Sequence, residues 1–285
     1  MIRSLTLALL LAAGPALADP HPQARRVLSI GGSVTEIVYA LGQQDRLAGR
    51  DTTSIFPEQA QALPDVGYIR ALSPEGVLSV SPDLILSEEG AGPPETIAVL
   101  AEAGIPLETI PAGTDADGLE AKIRAVAEAL GVPQAADGPV AALRADLDSL
   151  PAVAPADRKR VLFILSLQGS RIMAGGRNSG ADAIIRLAGA DNAVQGFEGY
   201  KPLSDEAITA AAPDVILMMD RGGDSDHDAP DAELLAMPAI STTPAGRAGR
   251  VIRMNGLYLL GFGPRAGQAA LDLHRAIYGA GDGGA

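Results

Sequence analysis

Tyr68 and Arg70 set a phenol and a guanidinium two residues apart in the polar stretch Gly67-Tyr68-Ile69-Arg70, where a fold by itself requires neither. Shortly after, Glu75 follows a helix-capping Ser73; Glu206 follows Ser204 in the same way 131 positions later. Each carboxylate falls in a first helical turn, where complementing the positive helix end is worth about 0.3–1 kcal/mol. Composition bounds the remaining chemistry. Cysteine is absent, which removes disulfides, thiolate metal sites and cysteine nucleophiles. Only three histidines occur (His21, His227, His274), so a site built from several of them is not expected. No G-x-S-x-G elbow and no convincing serine, histidine and acid set is present, which argues against a hydrolase. The turn Gly31-Gly32-Ser33 lacks the G-x-G-x-x-G spacing and no P-loop lysine follows it, so it reads as a plain strand-to-helix turn. The acidic run Asp224 to Asp228 lacks the glycine and distal glutamate of an EF-hand. A formal charge of −13 opposes nucleic-acid binding, which needs a basic face.

The elements that position these residues are written twice. Leu72 to Val77 and Pro82 to Leu86 recur as Leu203 to Ile208 and Pro213 to Leu217 at a constant offset of 131. That period is too long for a solenoid, whose units run about 20–50 residues. It implies two related domains. In each copy a serine caps a short helix, a proline stops it, and an apolar run such as Asp83-Leu84-Ile85-Leu86 forms a strand covered on both faces. The lead-ins correspond as well, Gly199-Tyr200-Lys201-Pro202 matching Gly67 to Ala71 with one residue fewer. Arg160 to Leu165 restarts the pattern of Arg26 to Ile30, and Ser179 to Gly189 answers Ser33 to Gly42. Alternating strands and helices predict an α/β chain with a parallel sheet in each of two Rossmann-like lobes. Ala135 to Leu150, alanine- and leucine-rich with helical spacing, reads as one long helix joining them. Ligands of such sheets sit beyond the carboxyl ends of the strands, so a cleft between the lobes is the expected site.

The first eighteen residues read as a secretory signal: Arg3, the apolar run Leu5 to Ala13, then Ala16-Leu17-Ala18 as a cleavage pattern. The expected division is therefore a signal peptide at 1–18, a first lobe at 19–133, a connecting helix at 134–157, a second lobe at 158–278 and a flexible tail at 279–285. No later stretch reaches transmembrane length, and without cysteine no lipid anchor is expected, so the mature chain is read as periplasmic and not inserted in a membrane.

Taken together, VLSIGGSVTEIVYALG and SPEGVLSVSPDLIL, with LPDVGYIRALSPEG, RNSGADAIIRLAGADNA, GYKPLS and NGLYLLGFGPR, make the chain resemble the periplasmic haem-binding proteins of bacterial haem-uptake ABC transporters. These belong to the helical-backbone binding proteins that also carry cobalamin and ferric siderophores. The resemblance implies that Tyr68 is the axial ligand of ferric haem b and that Arg70 supports it, a hard ferric ion suiting a phenolate. It implies propionate contacts for Arg221 and Lys201, and cleft walls or lobe packing for Tyr200 and Tyr258. His227 is the one candidate for a second-lobe histidine, in an acidic loop that reads as solvated. Glu75 and Glu206 match carboxylates that dock such carriers onto the permease. The implied partners are haem and an inner-membrane ABC permease dimer with its ATPase, with a monomeric carrier. Cobalamin or a ferric siderophore is the alternative cargo, and a periplasmic hydrolase the more distant alternative.

Overall fold

The computed structural model describes residues 19–168, 171–220 and 230–279. The expected signal peptide, Arg221, His227 and all but the first residue of the expected tail lie outside the described residues.

The first lobe alternates strand and helix: β1 (Val27–Ile30), α1 (Gly32–Ala40), β2 (Leu47–Arg50), α2 (Pro74–Ser79), β3 (Leu84–Glu88), α3 (Pro94–Glu102), β4 (Leu107–Ile110) and α4 (Ala116–Ala129). Its four strands form a wholly parallel sheet in the order β2-β1-β3-β4. β1 is buried at every position and β3 at all but its last, as strands covered on both faces must be. Gly31, at φ 113°, makes the turn from β1 into α1. A Cβ there would also lie 2.7 Å from Glu88 Oε2, so only glycine fits.

The connecting helix expected over 135–150 is α5 (Asp137–Asp148), entered through a 3-10 turn at Pro133–Ala136. The second lobe follows: β5 (Arg160–Gln168), β6 (Arg171–Gly175), α6 (Gly180–Leu187), β7 (Asp191–Asn192), β8 (Tyr200–Leu203), α7 (Asp205–Ala211), β9 (Val215–Asp220), α8 (Asp231–Ala236), α9 (Pro238–Ser241), α10 (Pro244–Ala248), β10 (Val251–Asn255), α11 (Gly256–Leu260) and α12 (Ala266–Tyr278).

The second sheet departs from an all-parallel arrangement. Its order is β10-β9-β5-β6-β8, with β7 beside β5, and β6 runs antiparallel to both β5 and β8. Two residues separate β5 from β6, enough for a hairpin but far short of the dozen or so a parallel crossover needs. Tyr200, in the lead-in of the second copy, begins the edge strand β8. Pro202 is tolerated there because an edge strand need not donate every N–H.

One apolar core runs through both lobes, from Val27 and Leu86 to Phe163 and Leu217, with Leu143 of α5 and Leu273 of α12 buried between them. Smaller clusters back the outer face of each sheet, around Ile85 in the first and Ile216 in the second. The repeat seen in the sequence is also a repeat of capping: Ser73 accepts from Gly76 N–H at 3.0 Å, and Ser204 from Ala207 N–H at 3.3 Å.

Candidate functional site

Between the lobes lies a cleft of about 770 Å3. Cofactor pockets commonly span roughly 300–1,000 Å3. The first lobe lines it with the β1–α1 turn, the loop after β2, the Tyr68 loop and the end of β3. The second lobe adds the end of β9, α11 and the start of α6. The walls are largely apolar: Ile55, Ile69, Leu165, Met219, Leu257 and Phe262.

Tyr68, Arg70 and Tyr200 are brought together in this cleft. The loop carrying Tyr68 is pinned on both flanks. Thr52 N–H donates to Gly67 O at 2.9 Å and Gly92 N–H to Ile69 O at 2.9 Å. The phenol therefore projects from fixed backbone and stays 48% exposed. Arg70 has no hydrogen bond or ion pair among the described residues, and its side chain is exposed. An exposed phenol and an unspent guanidinium two residues apart can receive a ligand without first giving up a protein partner.

Tyr200 faces them from the other lobe, 38% exposed. Its hydroxyl accepts from Ala181 N–H at 3.3 Å in the first turn of α6, and its ring meets Phe163 edge-on at 6.2 Å between centroids. Burial pushes its phenol above the ordinary tyrosine value, while Ala181, Ser179 and the charge of Arg70 oppose the rise.

The other expected contacts sit elsewhere. Lys201 is exposed outside the cleft lining, its ammonium 5.8 Å from the Phe197 ring centroid. Tyr258 is one residue from the cleft-lining Leu257 but turns away, donating its hydroxyl to Asp272 Oδ2 at 2.8 Å. Burial and that carboxylate hold its phenol far above the usual range. Glu75 and Glu206 are exposed in the first turns of α2 and α7, outside the cleft lining. The Glu206 carboxyl titrates low because its own backbone N–H and the Ser204 hydroxyl stabilise the anion. His274 is buried with Nδ1 3.0 Å from Ala188 O, a core histidine.

The floor of the cleft holds charges that motif reasoning missed. Lys122 of α4 is 2% exposed, yet its Nζ donates to Glu88 Oε1 at 2.8 Å and to Phe262 O of the second lobe at 3.3 Å. Ser33 Oγ donates to the same Glu88 oxygen at 2.9 Å. The signal was present: Lys122 shares the buried face of α4 with Leu119, Ile123 and Val126. Beneath the rim loop, buried Asp51 accepts from Gly31 N–H, Thr53 N–H and both the Thr53 and Ser54 hydroxyls. Gly31 and Gly32 thus spend their N–H groups on Asp51 and Thr53, leaving neither for a phosphate.

Comparison with known proteins accords with this geometry. The periplasmic binding protein family matches residues 27–256. Among solved structures, a periplasmic haem-binding protein BhuT in complex with two haems is 44% identical, covering 88% of this chain and 97% of that one with a TM-score of 0.81. The apo periplasmic haem-binding protein RhuT from Roseiflexus sp. RS-1 is 39% identical over 91% of this chain and 100% of its own, TM-score 0.83. The vitamin B12-binding protein of Vibrio campbellii is 26% identical over 68% of this chain and 70% of its own. An ABC transporter substrate-binding lipoprotein of Bacillus subtilis, YvrC, is 28% identical over 69% of this chain, and the match spans 64% of that lipoprotein's length. A two-lobed α/β chain with a ligand-sized cleft, matched by the family over most of its length, belongs to the periplasmic binding protein family and is a substrate-binding protein rather than an enzyme.

Proposed function

We propose that this protein binds ferric haem in the inter-lobe cleft, with the Tyr68 phenolate on the iron, and delivers it to an ABC permease of the inner membrane. The observation that carries the reading is the juxtaposition, in a cleft with apolar walls, of exposed Tyr68 and of Arg70, which has no hydrogen bond or ion pair among the described residues. Ferric iron is a hard ion suited to a phenolate ligand, and the resemblance gives Arg70 the role of supporting it. The porphyrin faces would lie against Ile69, Leu257 and Phe262, with Arg70 beside the Tyr68 ligand as its supporting residue. Haem-binding neighbours of 44% and 39% identity over nearly the whole cleft-bearing chain support this cargo.

On this reading the mature protein begins near Asp19 in the periplasm and acts as a monomer, with Glu75 and Glu206 meeting the permease. Arg221, which follows β9 in the sequence, is assigned to the haem propionates on the resemblance alone. Cobalamin is the second reading, favoured by the vitamin B12-binding relative.

The test is a spectral titration of the purified mature chain with hemin and, separately, with cobalamin. The expected result is a shifted Soret band with the charge-transfer bands of ferric tyrosinate. In Tyr68→Phe those bands should vanish and affinity should fall at least about tenfold, equivalent to about 1.4 kcal/mol. Cobalamin binding with no response to hemin would replace haem as the cargo.

A further inference from the structure

The segment Gly261-Phe262-Gly263-Pro264-Arg265, between α11 and α12, ends a motif whose role the cleft residues leave unassigned. It belongs to the second lobe in sequence but grips the first lobe at two points. On the cleft side, Phe262 O accepts from Lys122 of α4. At the other, Arg265 holds Glu36 of α1 by three bonds. Its Nε donates to Oε1 at 2.9 Å, its Nη2 to Oε2 at 2.8 Å, and its backbone N–H to Oε1 at 3.2 Å.

The surroundings of this pair are built for it. Glu36 is 7% exposed, and a Cβ on Gly263 would lie 3.2–3.4 Å from its carboxylate group, so the chain passes closely over the acid. The guanidinium carbon sits 3.4 Å from the centroid of the Phe56 ring, on the rim loop of the first lobe. It is also 5.0 Å from the Tyr258 ring of the second lobe. Tyr258 is fixed in turn by Asp272 of α12. Rings from both lobes therefore flank one guanidinium whose fork is taken by a buried carboxylate. A bidentate fork constrains distance and plane together, which a point charge such as lysine cannot do.

From this geometry we infer that Arg265 is a positioning residue that sets the angle between the lobes, and with it the width of the cleft. Its side chain is not part of the cleft lining. A rotation that opens the cleft must break or bend the fork to Glu36, so the pair holds the lobes near the separation a flat ligand needs. The effect on ligand kinetics rests on the haem reading above; the effect on lobe geometry does not.

The chain has no cysteine, so two introduced cysteines can carry spin labels without background. Val99→Cys on α3 and Ala210→Cys on α7 are exposed positions in opposite lobes. Pulsed electron–electron distance measurement on the ligand-free parent should give one narrow distribution. Arg265→Ala should broaden it and move it to longer distance, and Arg265→Lys should fall between. Glu36→Gln, close in volume, should reproduce the change if Arg265→Ala fails to fold. Dissociation of hemin should quicken roughly tenfold in Arg265→Ala, within the range usual for coupled sites, while association stays nearly unchanged. Parent-like distance distributions in both Arg265→Ala and Glu36→Gln would overturn the inference. A changed distribution in a protein whose parent ignores hemin would keep the positioning role and discard the cargo.

Discussion

Arg70 of the first lobe faces Tyr200 of the second across the cleft, near enough that its charge opposes the upward push burial gives the Tyr200 phenol. The two residues come from the matching lead-ins of the sequence repeat, so the repeat places corresponding segments on opposite walls of one site.

Removing Arg70 is therefore expected to act on Tyr200. In ligand-free Arg70→Ala, Tyr200 should ionise at higher pH than in the parent, because burial is then opposed only by Ala181 and Ser179. Ultraviolet difference titration reads this, with Tyr200→Phe identifying the transition. A Tyr200 midpoint that does not move would separate the two residues.

Lys122 and Glu88 form a nearly buried pair at the cleft floor. Lys122→Met keeps the length of the side chain but leaves the carboxylate with Ser33 as its remaining partner. Loss of one member of a buried pair commonly costs about 3–5 kcal/mol. The figure here should be nearer 3, since Glu88 opens onto the cleft. Urea denaturation should show the loss as a lower midpoint with the slope unchanged. Lys122→Met combined with Glu88→Gln should recover part of it.

Tyr258 provides a test with a definite sign. Its folded-state pKa is raised by burial and by donation to Asp272. The stabilisation is thus complete below the unfolded value near 10 and is lost as pH rises beyond it. Tyr258→Phe should cost about 1 kcal/mol at pH 8, the usual worth of one hydrogen bond. The gap between parent and variant should close as pH climbs past about 10. A gap that widens instead would show that the phenolate is favoured in the fold.

Glu75 and Glu206 should matter to delivery more than to folding. The double variant Glu75→Ala, Glu206→Ala should keep the parent's haem affinity and lose little melting temperature, since each carboxylate is an exposed helix-end charge. Transport into vesicles carrying the cognate permease should fall steeply, as removal of paired docking charges predicts. Normal transport would leave them as helix-end charges. The low-titrating Glu206 should contribute stability at neutral pH that disappears as pH falls through its depressed value.

The sequence by itself determined what is local and repeated. Capping serines, stopping prolines and apolar runs set α2 with β3 and α7 with β9, because these depend on neighbours in the chain. The 131-residue offset divided the chain into two lobes, and Tyr68 with Arg70 stood out as polar residues that helix and strand do not require. Tertiary structure alone decided the rest. The antiparallel course of β6 and β8 follows from strand pairing across the sheet, which the helix–strand alternation does not encode. Tyr200 and Tyr258 look alike as cleft candidates in sequence. A hydrogen bond to Asp272, fourteen residues away, turns one of them out of the cleft. The partners of Lys122 and Arg265 lie 34 to 229 residues distant, so no local spacing could join them. Long-range ion pairs are chosen by how two lobes meet, and that meeting is where this protein's cleft takes its width.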